Sequence, residues 1–250
     1  YLSCTCPVYI APAMDLDMYA HSANQKNIDN LKSIGKNILP VGEGFLASGL
    51  NGKGRMLEPE EIIEYLIDDL RAGLPLDGKK VLITAGPTYE LIDPVRFIGN
   101  PSSGKMGIAI ADALANRGAE VYLVCGPSAE KSQNSTVIRT DVQSAKEMFD
   151  VASKHVGRYD VAVMAAAVSD FTPVETFSHK VKKQGKEKES ILNIELKRTK
   201  DILKFFGDQK QAKHVLIGFA METDNELENA QQKMSNKNAD LIVLNSLREE

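Results

Sequence analysis

Short apolar runs alternate with helical patterns through the last two thirds of this 250-residue chain. The runs lie at 80–85, 120–125, 160–167, 215–219 and 241–244, and the helical patterns at 105–117, 141–155, 201–206 and 226–238. A strand whose residues are apolar in succession is buried on both faces, as in parallel sheets that carry helices on both sides. The pattern predicts an α/β fold with a three-layer, Rossmann-like, mostly parallel sheet. An alternating run at 191–196 predicts an exposed or edge strand.

The first third of the chain has a different pattern. It predicts a strand, a helix, a glycine-rich flap and a second helix, at 7–11, 21–35, 41–56 and 59–71. The segment 73–78 is rich in Gly and Pro and has no periodicity, so we expect a linker there, between domains at 1–72 and 79–250. The chain starts without Met and stops just after an apolar run, which is typical of a fragment cut at both ends.

Composition excludes some classes of function. A net charge of −4 and a pI near 5.7 argue against a nucleic-acid-binding surface. No apolar run approaches the ~20 residues that span a bilayer. Three cysteines predict reduced thiols in a cytoplasmic compartment. Cys4 and Cys6 lack nearby metal ligands, and we interpret them as buried thiols of a strand.

Two turns of small residues follow the first apolar run, at 85–88 and 99–104, and the second turn leads into a helical pattern. Backbone N–H groups and the positive end of a helix dipole bind phosphate in such places. The second turn fits the start of a P-loop, but Met106 stands where a Mg²⁺-binding hydroxyl belongs, which disfavours a Walker-type ATPase. We expect a phosphate-binding loop in which the hydroxyls of Ser102 and Ser103 donate.

Two later strand ends also carry suggestive residues, at 165–170 and 218–223. Ligands of doubly wound sheets lie beyond the carboxyl ends of the strands. There Asp170 could accept two ribose hydroxyls, and Phe219 could stack on a base. The alternatives are that the alanines only pack against a helix and that Asp170 caps the next segment.

The segment 179–190 is rich in lysine. Its lysines are Lys180, Lys182, Lys183, Lys186 and Lys188. They form either a solvated loop or a flap that closes positive charge over a polyphosphate. Lys233 and Lys237 share a helix face, either as surface residues or as donors to a base or phosphate. Asp201 begins a helix directly after Lys200, which gives a further helix N-terminus suited to an anion.

Together these motifs resemble a known family. The resemblance to phosphopantothenate–cysteine ligases rests on ITAGPT, DPVRFIGNPSSGKMG, AAAVSDF, HKVKKQ, GFAMETD and KNADLIVLN. Upstream, PAMDLDMY and LASGLNGKGRM resemble the end of phosphopantothenoylcysteine decarboxylases, the partner domain in the bifunctional family of coenzyme A biosynthesis. The resemblance implies that the first domain is the C-terminal part of a flavodoxin-like fold.

The ligase resemblance implies that CTP activates the carboxylate of 4'-phosphopantothenate as an acyl-cytidylate, which the amine of cysteine then attacks. Asn100 would hold the activated acyl group, Lys180 would neutralise charge on the triphosphate, and Arg96 would support the site or a dimer. Mg²⁺ would accompany the nucleotide, and a homo-oligomer is expected. The implied CTP-binding residues are Ser102, Ala165, Ala166, Asp170, Lys180, Lys200, Asp201, Ile202, Phe219, Lys233 and Lys237.

The decarboxylase resemblance implies FMN as the cofactor, with most of the flavin site and the catalytic histidine outside this chain; His21 does not occupy that histidine's motif. Met14 and Asp15 lie in the substrate-contacting turn, where Asp15 replaces the family's Asn. Ser48 replaces the cysteine that returns a proton to the enethiolate intermediate.

Two alternatives remain from the residues themselves. One is a nucleotide- or phosphate-binding module without ligase activity. The other is a dinucleotide-dependent oxidoreductase, which is disfavoured because no G-x-G-x-x-G follows the first apolar run.

Overall fold

The computed structural model describes residues 3–181, 192–222 and 224–246, except for the side chains of Glu222 and Ser246. The chain divides into two compact units, Tyr1–Gly73 and Leu74–Glu250. The lysine-rich residues 182–190 lie outside the described part, so only Lys180 of that run has a described position.

The first unit consists of short strands and three helices within its described residues. They are β1 (Tyr9–Ile10), α1 (Leu16–Ala20), α2 (Ser22–Ser33), β2 (Asn37–Ile38), β3 (Gly42–Phe45), β4 (Asn51–Arg55) and α3 (Pro59–Arg71). β1 pairs in parallel with β2, and β3 pairs antiparallel with β4. The glycine-rich stretch that was expected to be an irregular flap is therefore a β-hairpin. The helix α1 was not expected; it starts where Asp15 Oδ1 accepts a hydrogen bond from Leu16 N–H at 2.7 Å, an N-cap.

The second unit is larger and alternates strands with helices. Its elements are β5 (Lys80–Ala85), β6 (Tyr89–Leu91), β7 (Phe97–Gly99), α4 (Lys105–Ala115), β8 (Glu120–Cys125), β9 (Ile138–Asp141), α5 (Ala145–Ala152), a 3₁₀ turn (Ser153–His155), β10 (Val161–Met164), β11 (Phe171–Pro173), β12 (Leu196–Arg198), α6 (Ile202–Gln209), β13 (Val215–Glu222), α7 (Glu226–Asn236) and β14 (Leu241–Ser246).

Six of these strands form one parallel sheet in the order β9-β8-β5-β10-β13-β14. Numbered along the chain within the sheet, this order is 3-2-1-4-5-6, the doubly wound order of Rossmann-like folds. The predicted three-layer parallel architecture is confirmed. The strand order reverses between β5 and β10, and loops that leave the sheet at this point diverge and open a crevice.

The core lies on both faces of the sheet. Val81 and Ile83 of β5 are at most 1% exposed and pack in one cluster with Ile108 of α4. Leu82, between them in sequence, joins the opposite cluster, together with Phe206 of α6. Successive residues of β5 thus point to opposite layers, which is why the strand is apolar throughout.

Several predicted elements differ from the structure. The helix expected at 141–155 begins only at Ala145, because Ile138–Asp141 extends the sheet as β9. The strand expected at 191–196 has its strand residues later, at Leu196–Arg198, where it pairs antiparallel with β11. The hairpin β6–β7 was not expected. These strands were not predicted because segments of three or four residues are too short to show a clear apolar period.

Cys4 and Cys6 were expected to be buried in a strand, and this is wrong. Both thiols are exposed, and neither residue belongs to a strand. Cys125, at the end of β8, is the buried one. Among the residues that the structure describes, no helix has both the length and the apolar character to cross a membrane.

His214 generates a pH-dependent prediction at the amino end of β13. Its ring is 3% exposed, Nδ1 accepts from Gln211 N–H at 3.3 Å, and Nε2 is buried without a partner among the described residues. Burial lowers the pKa of this imidazole, and the positive charge of Lys213 lowers it further. The unfolded chain therefore takes up the proton first as the pH falls, and the stability that the neutral ring contributes is lost below the ordinary histidine pKa of about 6.5.

We expect the free energy of unfolding to decrease between pH 7.5 and pH 5.5, with a slope of at most about 1.4 kcal/mol per pH unit for this proton. His214→Asn keeps an acceptor near the position of Nδ1 and cannot titrate, so it should reduce that decrease. His155 has a pKa lowered in the same direction by burial and supplies the residual slope. Urea unfolding at the two pH values measures the effect, and an identical pH slope in the variant would contradict it.

Candidate functional site

The carboxyl ends of β5, β10 and β13 open into a cavity of about 620 Å³. Thr84 and Met164 form part of its floor, and the isolated bridge between Pro87 and Ala167 continues the pairing of the two strands beyond their ends. The cavity thus lies at the point where the strand order reverses, as expected for ligands of such sheets.

Eight of the eleven residues predicted to bind a nucleotide line this cavity. They are Ala166, Asp170, Lys200, Asp201, Ile202, Phe219, Lys233 and Lys237. They come from four separate stretches of the chain, and the parallel topology brings those stretches to one edge of the sheet. Ala165, Ser102 and Lys180 do not line the cavity.

The N-terminus of α6 forms one wall. Asp201 Oδ1 caps the helix by accepting from Lys204 N–H at 2.7 Å, and Asp201 Oδ2 forms an ion pair with Lys237 Nζ. Burial alone would raise the pKa of Asp201, but the Lys237 ammonium and the Lys204 amide hold it below its usual range. The carboxylate is therefore charged and fixes Lys237 at the cavity.

Lys200 lies at the edge of the same wall. Its ammonium is 4.3 Å from the ring centre of Phe149, a cation–π contact that orients the charge. Thr199, next to it, also lines the cavity, and its hydroxyl donates to Ser169 O at 2.7 Å. Sequence analysis did not single out Thr199 or Phe149, although Thr199 directly precedes Lys200 and Phe149 belongs to the apolar face of α5.

Asn100 lies directly after β7 and does not itself line the cavity. Its side-chain amide donates to Val168 O at 3.0 Å, and Val168 lines the cavity. Two chain segments, one leaving β5 and one leaving β10, are joined by this bond. Asn100 is thus bonded to a residue of the cavity lining, and its role in holding an acyl group stays a prediction.

The turn that was predicted to bind phosphate leads directly into α4. The hydroxyls of Ser102 and Ser103 accept from the N–H groups of Gly104 and Lys105, each at 3.3 Å. Gly104 has φ +78°, a left-handed conformation that favours glycine. The two hydroxyls thus act as acceptors here, whereas the sequence predicted donors to a ligand.

Arg96 does not line the cavity. Its guanidinium donates two hydrogen bonds to Asp93 Oδ2, at 3.0 and 2.5 Å, and Asp93 is 0% exposed. The Arg96 side chain, followed by the amides of Val95, Val181 and Arg96 itself, holds the pKa of Asp93 well below its usual range despite burial. Sequence reasoning missed Asp93, because only the fold shows that it is buried.

The first unit has its own candidate site. A cavity of about 330 Å³ is lined by Met14, Asp15 and Ser48, the three residues predicted for it, together with residues of the β3–β4 hairpin. Met14 N–H donates to Gly54 O at 2.9 Å, and a Cβ on Gly54 would lie 2.3 Å from Met14 O. Only glycine allows the hairpin to approach the turn this closely, and that approach forms the cavity.

Within the described residues, no group of three or more His, Cys, Asp or Glu side chains could hold a metal ion.

Comparison with known protein families gives one matching family model for each of the two units. The family model described as "DNA/pantothenate metabolism flavoprotein C-terminal domain" matches residues 76–250, and the model described as "Flavoprotein" matches residues 1–71.

Curated relatives match nearly the whole chain. A Cysteine/Cysteine sulfinic acid decarboxylase from an unknown prokaryotic organism is 49% identical over 100% of this chain and 69% of that protein. The Coenzyme A biosynthesis bifunctional protein CoaBC of Bacillus subtilis (strain 168) is 43% identical over 99% of this chain and 60% of that protein. The chain thus spans 60 to 69% of the length of these two relatives.

Solved structures match the second unit's fold. The C-terminal domain of CoaBC aligns with a TM-score of 0.59 and 46% identity, covering 68% of this chain and 79% of that one. The DNA/pantothenate metabolism flavoprotein from Streptococcus pneumoniae aligns with a TM-score of 0.60 and 27% identity, covering 68% and 83%.

Gly207 generates a prediction about the cavity wall. A Cβ at Gly207 of α6 would lie 1.8 Å from Lys237 O, so Gly207→Ala must displace the end of α7 that carries Lys237. Alanine normally stabilises a helix interior by about 1 kcal/mol relative to glycine. Here we expect the opposite, a loss of about 1–3 kcal/mol in the free energy of unfolding, measured by urea denaturation.

Gln209→Ala, on an exposed position of the same helix, is the matched control and should change stability by less than about 0.5 kcal/mol. A Gly207→Ala protein as stable as the wild type would contradict the close contact between α6 and the end of α7.

Proposed function

This chain belongs to the DNA/pantothenate metabolism flavoprotein family, and from that premise we propose that it acts in coenzyme A biosynthesis as part of a bifunctional ligase and decarboxylase. The second unit ligates 4'-phosphopantothenate to cysteine with CTP, through an acyl-cytidylate. The first unit contributes to FMN-dependent decarboxylation of phosphopantothenoylcysteine to 4'-phosphopantetheine. We further propose a cytoplasmic homo-oligomer.

The cavity at the reversal of strand order is the observation that carries the proposal. Three lysines and a helix N-terminus line it, which fits a polyphosphate, whereas Asp170 and Phe219 fit a ribose and a base. A nucleotide, which combines phosphate, ribose and base, would contact all of these groups at once, and we propose that it is CTP. The family match to residues 76–250 adds the substrate class.

The ligation requires positioning and charge rather than a protein nucleophile. In the first half-reaction a carboxylate oxygen attacks the α-phosphorus of CTP, and pyrophosphate leaves. Lys180 and the lysines of the cavity stabilise the charge on the leaving pyrophosphate. In the second, the amine of cysteine attacks the acyl carbon, and CMP leaves. Asn100, fixed by Val168 O, holds the acyl oxygen, and Mg²⁺ bound to the phosphates would supply further positive charge.

The first unit fits the substrate side of a decarboxylase site. Its cavity combines apolar groups such as Met14 and Phe45 with Asp15, Ser48 and Arg55, a set that suits a polar thiol substrate beside a flat apolar ring. FMN, when bound, would oxidise the cysteinyl thiol so that carbon dioxide leaves readily. Ser48 stands where the family uses a thiol to return a proton.

The ligase proposal predicts that the purified protein releases pyrophosphate from CTP and 4'-phosphopantothenate in the absence of cysteine. Lys180→Gln should lower the rate roughly 100-fold, because one charge that faces the transition state is removed. Lys154→Gln, at an exposed lysine of the 3₁₀ turn that follows α5, is the control. Release with ATP but not with CTP would refute the assignment of the cavity to a cytosine nucleotide.

The decarboxylase proposal predicts the effect of Ser48→Cys. A thiol, with a pKa of about 8.5, is a far stronger acid than a serine hydroxyl, so the variant should form at least as much reduced product from phosphopantothenoylcysteine as the wild type. Chromatographic separation of reduced and oxidised products measures this. Ser33→Cys adds a thiol at an exposed site of the same unit and should change nothing. Loss of reduced product in Ser48→Cys would mean that Ser48 does not occupy the donor position.

One observation favours a second candidate, the decarboxylation of a free sulfur amino acid. The relative named Cysteine/Cysteine sulfinic acid decarboxylase shares 49% identity with the chain, against 43% for the B. subtilis coenzyme A protein. Carbon dioxide release from cysteine or cysteine sulfinic acid without CTP would support this candidate. Binding of CTP without any pyrophosphate release would instead support a nucleotide-binding module.

A further inference from the structure

A buried ion pair holds the segment that carries Lys180. Asp93 lies in the loop that joins β6 to β7, and its Oδ1 accepts from the N–H groups of Val95 and Arg96 at 2.8 and 2.9 Å. Its Oδ2 accepts from the Arg96 guanidinium and also from Val181 N–H at 3.1 Å, a residue 88 positions away. The Asp93 carboxylate, which accepts all of these hydrogen bonds, has no exposed surface.

Val181 is held at both of its backbone groups. While its N–H donates to Asp93, its carbonyl accepts from Arg96 Nη2 at 3.2 Å. Two further bonds attach the preceding residues to the same loop, from Thr176 Oγ1 to Leu91 O at 3.3 Å and from Phe177 N–H to Ile92 O at 2.9 Å. Lys180 thus lies between two anchored positions, and its own side chain is exposed and free to reach a ligand.

The same hairpin also sets the position of Asn100. Strand β7 ends at Gly99, and Asn100 follows it directly and donates to Val168 O. Stacking of Tyr89 on Phe97, with ring centres 3.9 Å apart, stiffens the hairpin between its loop and Asn100. One rigid element therefore relates the residue that holds the acyl group to the segment that carries the catalytic lysine.

We propose that Asp93 is a positioning residue for the ligation: with Arg96 it fixes the backbone at Val181 and so places Lys180 relative to Asn100. The proposal rests on the ligase function proposed above and adds a residue to it. Asp93 touches no substrate, so it acts only through Lys180 and its loop. The lowered pKa of the Asp93 carboxyl fits this role, because a charged carboxylate binds guanidinium and amide more strongly than a neutral one.

Asp93→Asn tests the proposal, since the amide keeps the shape but loses the charge and one acceptor. We expect kcat for pyrophosphate release to fall about 10-fold or more, with KM for CTP within threefold of the wild type, because the cavity itself is unchanged. If Asp93 acts through Lys180, the double variant Asp93→Asn/Lys180→Gln should be no slower than Lys180→Gln alone. Full additivity of the two effects would overturn the proposal.

Hydrogen exchange of the peptide 176–181 reports on the attachment without any catalysis. Protection of the Val181 amide should be lost in Asp93→Asn and kept in Asp112→Asn. Asp112 is a matched control because its carboxylate organises a different loop, accepting from the Ser132 hydroxyl and from Gln133 N–H. Unchanged protection in Asp93→Asn would overturn the proposal. Val181→Pro removes the donated N–H and leaves the Asp93–Arg96 pair in place, although it also fixes φ at 181 and restricts Lys180, so it gives a second kinetic test should Asp93→Asn fail to fold.

The outcomes separate the two proposals. Normal pyrophosphate release by Lys180→Gln would refute the catalytic role of Lys180, and the positioning inference with it. If Lys180→Gln released pyrophosphate slowly while Asp93→Asn kept a normal kcat, the positioning inference alone would be refuted. The ligase proposal would still stand.

Discussion

Parallel pairing of β5 with β10 is the interaction on which the second unit depends. Val81 to Thr84 pair in register with Val161 to Met164, and the pairing continues to Pro87 and Ala167 past the strand ends. Because the sheet order reverses between these two strands, the chain leaving β5 and the chain leaving β10 turn to different sides. The cavity opens at this edge of the sheet, and it is lined by Thr84 of β5, by the chain leaving β10, by the start of α6 and by the end of α7.

The segments that follow β5 and β10 carry different functional groups. The chain leaving β5 builds the hairpin β6–β7 and delivers Asn100, an uncharged residue suited to holding an acyl group. The chain leaving β10 delivers Asp170 and then Lys180, and the helices α6 and α7 bring Lys200, Lys233 and Lys237. Positive charge is thus concentrated where phosphates would lie, while neutral amide groups occur where an acyl carbon would react. The Asp93–Arg96 pair is one contact between these two segments, and the bond from Asn100 to Val168 O is another.

The sequence predicted those features that depend on local pattern or on topology. Continuous apolar runs predicted the six-stranded core, apart from β9, and the carboxyl ends of the runs predicted the position of the cavity. The sequence did not predict the features that depend on tertiary contacts. Asp93 looks like an ordinary turn residue until Val181 is packed against it, and the pair of Asp201 with Lys237 joins residues that are 36 positions apart. Cys4 and Cys6 were interpreted as buried thiols of a strand because they lack nearby metal ligands, yet the strand that follows them contains only Tyr9 and Ile10.

The capping of α6 refines how a phosphate would bind there. The resemblance assigned the amides around Asp201 to phosphate, but the Asp201 carboxylate already accepts from Lys204 N–H and neutralises Lys237. An anion at this helix terminus must therefore use the amides that precede Lys204, since replacing the cap would leave a charged carboxylate without its partners. It follows that Lys237, held by Asp201 in an ion pair, contributes less net charge to the cavity than Lys200, whose ammonium lies over the Phe149 ring. Within this cavity, Lys200 is consequently the stronger candidate for a phosphate contact, and the pair of Lys237 with Asp201 is better suited to hydrogen bonding with a neutral base.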